Sequence, residues 1–385
     1  MEKAKNSNAE LVFQVKGNDD KILYEKTEKL FDKLNTLKNM KFDVIIGNPP
    51  YQLSDGGGTG SSAKPIYQIF IQQAKKLNPQ YLSMIVPSRW FTGGKGLDDF
   101  RDKMIHDKRI QVLHDYINAS DVFTSVSIEG GVCYFLWNRD NEGKCRYYLH
   151  NSENTIKEYE RYLDEGGDIL VRDEICLNII NKVQQLKEKS FLSLVSSRNP
   201  YGFGSDFIKN NNLILSDTKI INGYCLLGIL NRKRTERYLP QTFSIPKAKD
   251  ELDKWRIFIS KADGAAGQIG NPIPARIIGI PKIAKPFDIC TETFLRVGIF
   301  SSIIETENVA EYMKTKFFRF LVGIRKNKNM TQDTYLFVPL QDFSESWTDE
   351  KLYAKYGLNQ EEIDFIESMI RPMDLNAIEE SEVKL

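Results

Sequence analysis

Four consecutive residues, Asn48-Pro49-Pro50-Tyr51, join a side-chain amide, two residues of fixed φ and an aromatic ring. They follow Phe42-Asp43-Val44-Ile45-Ile46-Gly47, a β-branched run suited to a strand buried on both faces, which two prolines must end. The carboxyl end of such a strand is where open α/β sheets bind ligands, so the run reads as a ligand-orienting turn. The competing reading is a proline-stiffened turn without function. Five widely spaced cysteines (Cys133, Cys145, Cys176, Cys225, Cys290), no Cys-x-x-Cys pair and only three histidines argue against a disulfide framework or a zinc site.

The elements around this turn alternate. A helix is predicted from about Pro65 to Leu77, a strand over Tyr81 to Val86, a helix from about Gly96 to Ile105 and a strand over Arg109 to Tyr116. This is the pattern of a parallel sheet in an α/β domain. Ser127 to Trp137 and Arg146 to His150 read as a closing antiparallel ribbon. Ahead of the turn, Ile22, Leu30, Phe31 and Leu34 are spaced for one face of a helix, and Gly56 to Ser62 reads as a mobile loop. Past Asn151 the alternation stops. Ile169 to Arg172 is expected as a strand, a helix capped by Asp173 runs to about Lys187, and from Ser190 the chain is β-rich with Gly, Pro and Asn breakers. A final helical segment spans Thr348 to Ile370.

With 385 residues, 41% of them hydrophobic, two packed domains are expected. We expect a partial α/β catalytic domain over 1–155, a linking strand and helix over 156–190, a β-rich α+β domain over 191–340 and an acidic helical segment over 341–385. No apolar run is long enough to span a membrane and the N-terminus lacks a secretion signal, so a cytoplasmic location is expected. The overall charge of +1 conceals an asymmetry. Ser190 to Met330 carries 22 basic against 12 acidic residues, and Gln341 to Leu385 carries 4 against 12. The middle can face a polyanion and the last segment cannot.

The turn resembles that of the amino methyltransferases with an Asn-Pro-Pro-Tyr motif, most closely the adenine-N6-specific DNA enzymes of type II restriction-modification systems. That resemblance implies a Rossmann-like methyltransferase sheet and transfer of methyl from S-adenosylmethionine to a flipped adenine in double-stranded DNA. Asn48 and Pro49 would accept hydrogen bonds from the exocyclic amine and face the cofactor methyl, and Pro50 would stiffen the turn. An aromatic amine is a poor nucleophile because its lone pair is delocalised. Two acceptors on its protons aim that lone pair at the sulfonium methyl and stabilise the developing positive charge. Tyr51 would stack on the base. A flipped base needs a second stacking partner, for which the resemblance offers Phe123 in Asp121-Val122-Phe123-Thr124-Ser125-Val126. The segment Ile85-Val86-Pro87-Ser88-Arg89-Trp90-Phe91 resembles a pocket wall, with Pro87 and Ser88 on the base and Arg89 and Trp90 bracing the loop.

The second half resembles the target-recognition domain of the same enzymes, through Ser197 to Gly204, Gly264-Ala265-Ala266-Gly267 and a helix over Tyr312 to Phe320. Lys314, Lys316, Arg319, Arg325, Lys326 and Lys328 fall within fifteen residues without an intervening acid, a stretch suited to phosphate contacts. The alternative is a solvated basic helix with a buried aromatic face.

Enzymes of this kind carry three strands, with a glycine-rich turn and an acidic residue for the cofactor, ahead of the Asn-Pro-Pro-Tyr strand. About forty residues precede it here, without Gly-x-Gly after an apolar run. The expectation is therefore an incomplete S-adenosylmethionine pocket and a chain inactive alone, completed by an N-terminal methyltransferase segment or subunit and associated with a restriction nuclease. The competing functions are a non-catalytic DNA-binding specificity subunit or remnant, a protein-glutamine methyltransferase using the same tetrapeptide, and a nuclease. The glutamine enzyme would not need Phe123 or a large basic second domain. For a nuclease, Phe13-Gln14-Val15-Lys16 lacks the required acid.

Overall fold

The computed structural model describes residues 41–52, 64–94, 96–124, 128–151, 155–265, 268 and 272–373. The expected N-terminal helix, the glycine loop over Gly56 to Ser62, and Ala266 and Gly267 lie outside the described residues. The chain divides into two compact units, Met1–Glu174 and Ile175–Leu385.

The first unit is a six-stranded sheet in the order β1-β2-β4-β3-β5-β6. Its strands are β1 (Val44–Gly47), β2 (Tyr81–Pro87), β3 (Ile110–Tyr116), β4 (Val132–Asn138), β5 (Cys145–His150) and β6 (Ile156–Arg161). β1 and β2 are parallel, as are β3 and β5, and β4 lies antiparallel between β2 and β3. The expected closing ribbon is therefore not one. β4 inserts into the middle of the sheet, and β5 pairs with β3 instead of β4. The alternation of β4 explains its place: Cys133, Phe135 and Trp137 are fully or almost fully buried, a core strand's pattern rather than an edge's.

Helices α1 (Tyr67–Lys76) and α2 (Asp98–Ile105) supply the other half of this core. α1 buries Tyr67, Phe70, Ile71 and Ala74 at helical spacing, and α2 buries Phe100 and Met104 behind two acids in its first turn. Trp90 is wholly buried edge-on to Phe91, ring centroids 4.7 Å apart. β1 was expected to be buried on both faces, yet among the described residues it is an edge strand with Val44 and Ile46 exposed and only Ile45 buried. Ile169 to Arg172 was expected as a strand and forms none. Val171 and Arg172 carbonyls accept from the buried Arg161 guanidinium, and the Leu170 amide donates to Phe91, so this backbone is satisfied without a ladder. The strand falls earlier, at β6, within the region expected to be a linker.

The second unit contains two three-stranded sheets, β10-β9-β12 and β11-β7-β8. Their strands are β7 (Tyr224–Leu230), β8 (Lys233–Leu239), β9 (Trp255–Ser260), β10 (Lys282–Ala284), β11 (Asp288–Cys290) and β12 (Phe294–Phe300). Tyr201, Phe203, Leu226, Phe258, Cys290 and Phe294 belong to one core cluster. β12 bulges at Gly298, where φ is +65° and a Cβ would lie 1.9 Å from the Phe300 ring. α3 (Glu174–Gln185) begins at the boundary and the short α4 (Phe207–Asn210) precedes β7.

The helix expected over Tyr312 to Phe320 is two. α5 (Ile303–Lys314) ends at Thr315, whose hydroxyl caps α6 (Lys316–Arg325) by accepting from Phe318 N–H. Asp349 completes this cap, accepting from Lys316 and Phe317 amides at 2.9 and 2.8 Å. The segment Thr348 to Ile370 likewise splits into α7 (Asp349–Lys355) and α8 (Gln360–Met369), because Gly357 adopts a φ of +59° and Asn359 and Glu362 form a capping box.

Candidate functional site

Because β1, β2 and β3 run the same way and β4 the opposite way, four segments meet one edge of the first unit's sheet. These are the turn after β1, the turn after β2, the segment after β3 and the glycines before β4. Asn48 to Tyr51, Pro87 to Arg89, Phe123 and Gly130-Gly131 thereby share an edge although up to 83 positions separate them in the chain.

At the first turn Asn48 is exposed, Pro49 buried and Tyr51 half-buried. The Tyr51 carbonyl accepts from the Ile66 amide at 3.1 Å and Gln52 bridges Pro65, so the turn is tied to the start of α1. The Tyr51 hydroxyl is buried without a hydrogen-bond partner among the described residues, and burial pushes its pKa up to about 12. Tyr67, the first residue of α1, buries a second hydroxyl, near the backbone of Trp90 and near Arg89. Arg89 is half-buried near Tyr67, with its Nε unpartnered among the described residues. Buried polar atoms without partners are uncommon and mark a place that a polar ligand or water can satisfy.

The wall after β2 is held by a buried clip. Ser88 N–H donates to Gly131 O at 3.0 Å, and Ser88 Oγ donates to Asp115 Oδ1 at 2.8 Å. Asp115, at the end of β3, also accepts from Tyr147 Oη at 2.8 Å and faces Arg172 Nε at 2.9 Å. Arg172 in turn donates to the Gly130 carbonyl. Gly131 has a φ of +84°, and a Cβ there would lie 2.1 Å from Tyr116 O, so only glycine permits this closeness. Asp115, Arg172 and Tyr67 escaped the sequence reading. The available signal was parity: Asp115 follows the buried Leu113 by two residues and so points into the core.

Phe123 follows a short helical turn at Ala119–Asp121, with its amide bonded to Ala119 O at 2.8 Å, and is half-buried. Trp90 is core rather than surface.

The basic residues expected to meet phosphate are not a free row. Lys314 pairs with Glu311 at 2.6 Å and Lys316 with Glu367. Arg319 is 3% exposed and donates to the carbonyls of Lys314 and Thr315 at 3.0 and 3.1 Å, while burial lowers its pKa to about 10. Lys326 is fully buried, donating to the carbonyls of Asp263 and, at 2.6 Å, Ile277. Burial lowers its pKa to about 8. Arg325 donates to Asp333 O and lies 4.8 Å from the Phe337 ring centre, and Lys328 is exposed. Arg319 and Lys326 are thus structural cations, because α6 is buried nearly all round.

No helix among the described residues is long and apolar enough to cross a membrane. Residues 1–123 match the family described as Eco57I restriction-modification methylase. The chain is 36% identical over 149 residues to a Mycoplasma pneumoniae protein described as an uncharacterized adenine-specific methylase, covering 38% of this chain and 33% of that one. It spans about a third of that relative's length. Among solved structures it is similar to the type IIL restriction-modification enzyme MmeI in complex with DNA, at 11% identity and a TM-score of 0.43, covering 77% of this chain and 46% of that one. It is also similar to a nuclease-deletion mutant of the type ISP restriction-modification enzyme LlaGI in complex with a DNA substrate mimic, at 12% identity and a TM-score of 0.40, covering 81% and 41%.

Proposed function

We propose that this chain, whose first 123 residues are of the Eco57I restriction-modification methylase type, forms the target-base side of a site-specific adenine-N6 DNA methyltransferase. The observation that carries the reading is Asn48-Pro49-Pro50-Tyr51 at the carboxyl end of β1, with an exposed amide, a buried proline and a phenol unpartnered among the described residues, on the edge of the sheet where the turn after the parallel β2 also ends.

The Asn48 side-chain oxygen and the Pro49 carbonyl accept the two protons of an adenine amine, which turns its lone pair out of the ring plane. Pro49 and Pro50 fix the turn beforehand, so little ordering is left for the reaction itself. Tyr51 presents a ring to one face of the base and Phe123 to the other, replacing the stacking lost when the base leaves the duplex. One amine proton, held at Asn48, passes to water through the exposed side of the turn.

The residues fit a cationic methyl donor at the same place, because no Lys, Arg or His occurs in residues 42–53 to repel a sulfonium. S-adenosylmethionine, when bound, supplies an electrophilic methyl whose C–S bond breaks as the N–C bond forms. Asn48 and Pro49 are the residues that would face it.

The test is transfer of labelled methyl to duplex DNA by the chain supplemented with an N-terminal methyltransferase segment, with the product base identified. Asn48→Ala should abolish transfer while leaving duplex affinity within a few-fold, and Asn48→Asp, which keeps an acceptor, should retain a residue of activity. Label on cytosine or protein would overturn the adenine assignment. Duplex binding without any transfer would favour a specificity subunit.

A further inference from the structure

The two-residue connection between β7 and β8 is Asn231-Arg232, closed by the pair Leu230 and Lys233. Both turn residues lie in the left-handed region, with φ of 51° and 63°. Turns of this kind match the twist of the strands and favour Asn then Gly, since only glycine takes the second position without steric cost. Here an arginine occupies it. A conformational cost borne at a solvent-exposed tip, where nothing packs, points to a use for the side chain.

The charges around the tip point the same way. Asn231-Arg232-Lys233-Arg234 places three cations in succession. Arg232 and Lys233 are exposed, and their side chains have no hydrogen-bond or ion-pair partner among the described residues. Behind them Asp263, its side chain 9% exposed, grips Arg276 at 2.9 Å and faces Arg234 at 3.7 Å. Gly279 makes room for this cluster, since a Cβ there would lie 2.0 Å from Asp263 and 3.0 Å from Arg234. Other charges nearby are neutralised: Glu236 pairs with Lys282, and Arg237 with Asp217 at 2.8 Å. Asp263 therefore orients Arg234 and Arg276, with the buried Lys326 also beside it, and the Arg232 and Lys233 side chains have no acid paired with them among the described residues.

We infer that the β7–β8 hairpin tip, with Arg232, Lys233, Arg234 and Arg276, is a phosphate-contacting element for duplex DNA. The inference rests on the proposed DNA methyltransferase function and assigns its backbone contacts to this tip in place of the segment from Lys314 to Lys328. Guanidinium groups match phosphate oxygens in a bidentate fork, and a projecting two-stranded tip can carry them to the backbone. Arg234 and Arg276, oriented by Asp263, form the fixed part, while Arg232 and Lys233 reach outward.

The test exploits the turn itself. Glycine is the residue the second turn position prefers, so Arg232→Gly removes a cation without straining the fold. The double variant R232G/K233T should melt at or above the temperature of the parent chain. It should nevertheless bind duplex DNA about 10- to 30-fold more weakly near 0.15 M salt, with the slope of log affinity against log salt reduced by about 2, equally for unrelated sequences. An unchanged slope in a well-folded double variant, against a salt-dependent parent, overturns the hairpin assignment and leaves the functional reading standing. A loss confined to one sequence overturns it too, making the tip a base reader. A parent chain that binds no duplex DNA overturns both.

Discussion

Arg172 Nε lies 2.9 Å from Asp115 Oδ2, with the two side chains 9% and 0% exposed. Removing both charges from water is costly, and their attraction repays this only where further hydrogen bonds complete them. Ser88, Tyr147 and the Gly130 carbonyl do so. The pair therefore joins the turn after β2, the end of β3 and the glycines before β4 into one unit. Asp115→Asn leaves Arg172 buried without its counter-charge and should destabilise the first unit by about 3–5 kcal/mol in urea unfolding. Asp115→Leu with Arg172→Met removes both charges and should cost much less. If the double variant is as unstable as the single one, the pair does not act through its charges.

In the proposed function Tyr51 lends its ring to the base, and its hydroxyl has no hydrogen-bond partner among the described residues. Tyr51→Phe should retain methyl transfer and leave stability unchanged or improved by up to about 1 kcal/mol, because an unpaired buried donor is removed. Tyr51→Ala and Phe123→Ala should each weaken the extrahelical base by roughly 1–3 kcal/mol. A fluorescent adenine analogue at the target position reports this; an unaltered signal in Phe123→Ala would strike Phe123 from the pocket.

Lys326 yields a pH dependence of definite sign. Burial lowers its pKa to about 8, below the value of about 10.4 for an unfolded lysine. Below pH 8 both states hold the proton and the folded chain bears the whole cost of a buried charge. Between about pH 8 and 10.4 the unfolded chain binds more proton, so stability rises with pH. Relative to Lys326→Met, the parent should gain stability from pH 7.5 to 9.5 in urea midpoints. The same variant should leave the salt slope of DNA binding unaltered; a decrease of about 1 would return Lys326 to the phosphate contacts.

Asp107 shifts in the same direction, so its stability contribution also rises with pH, but for the opposite reason: its partners favour the charged form. Burial raises its pKa, but Arg109, Lys75 and Trp137, donating at 2.7 to 3.0 Å, outweigh it and hold the carboxyl well below the usual range. That stabilisation is fully present above the unfolded carboxylate pKa of about 3.9 and is lost as pH falls below it. Acid unfolding monitored by Trp fluorescence should be less steep in Asp107→Asn, which should also cost about 2–4 kcal/mol at neutral pH.

By itself the sequence determined the proline turn after β1 and the alternation that places it. Val44 to Gly47 is β-branched, Pro49 and Pro50 end it, and the helices and strands to Tyr116 follow from local spacing, because these features are written within a few residues of each other. The tertiary structure alone decided what depended on partners far along the chain. It placed β4 between β2 and β3, a choice of hydrogen-bond neighbours that the alternation of residues 132–138 permits but does not specify. It turned Arg319 and Lys326 inward, since a run of cations does not reveal whether a carbonyl from position 263 or 371 will be waiting. It joined Asp115 to Arg172 across 56 intervening residues, because a buried acid is legible in a strand while the arginine that completes it is fixed only when the strands are packed.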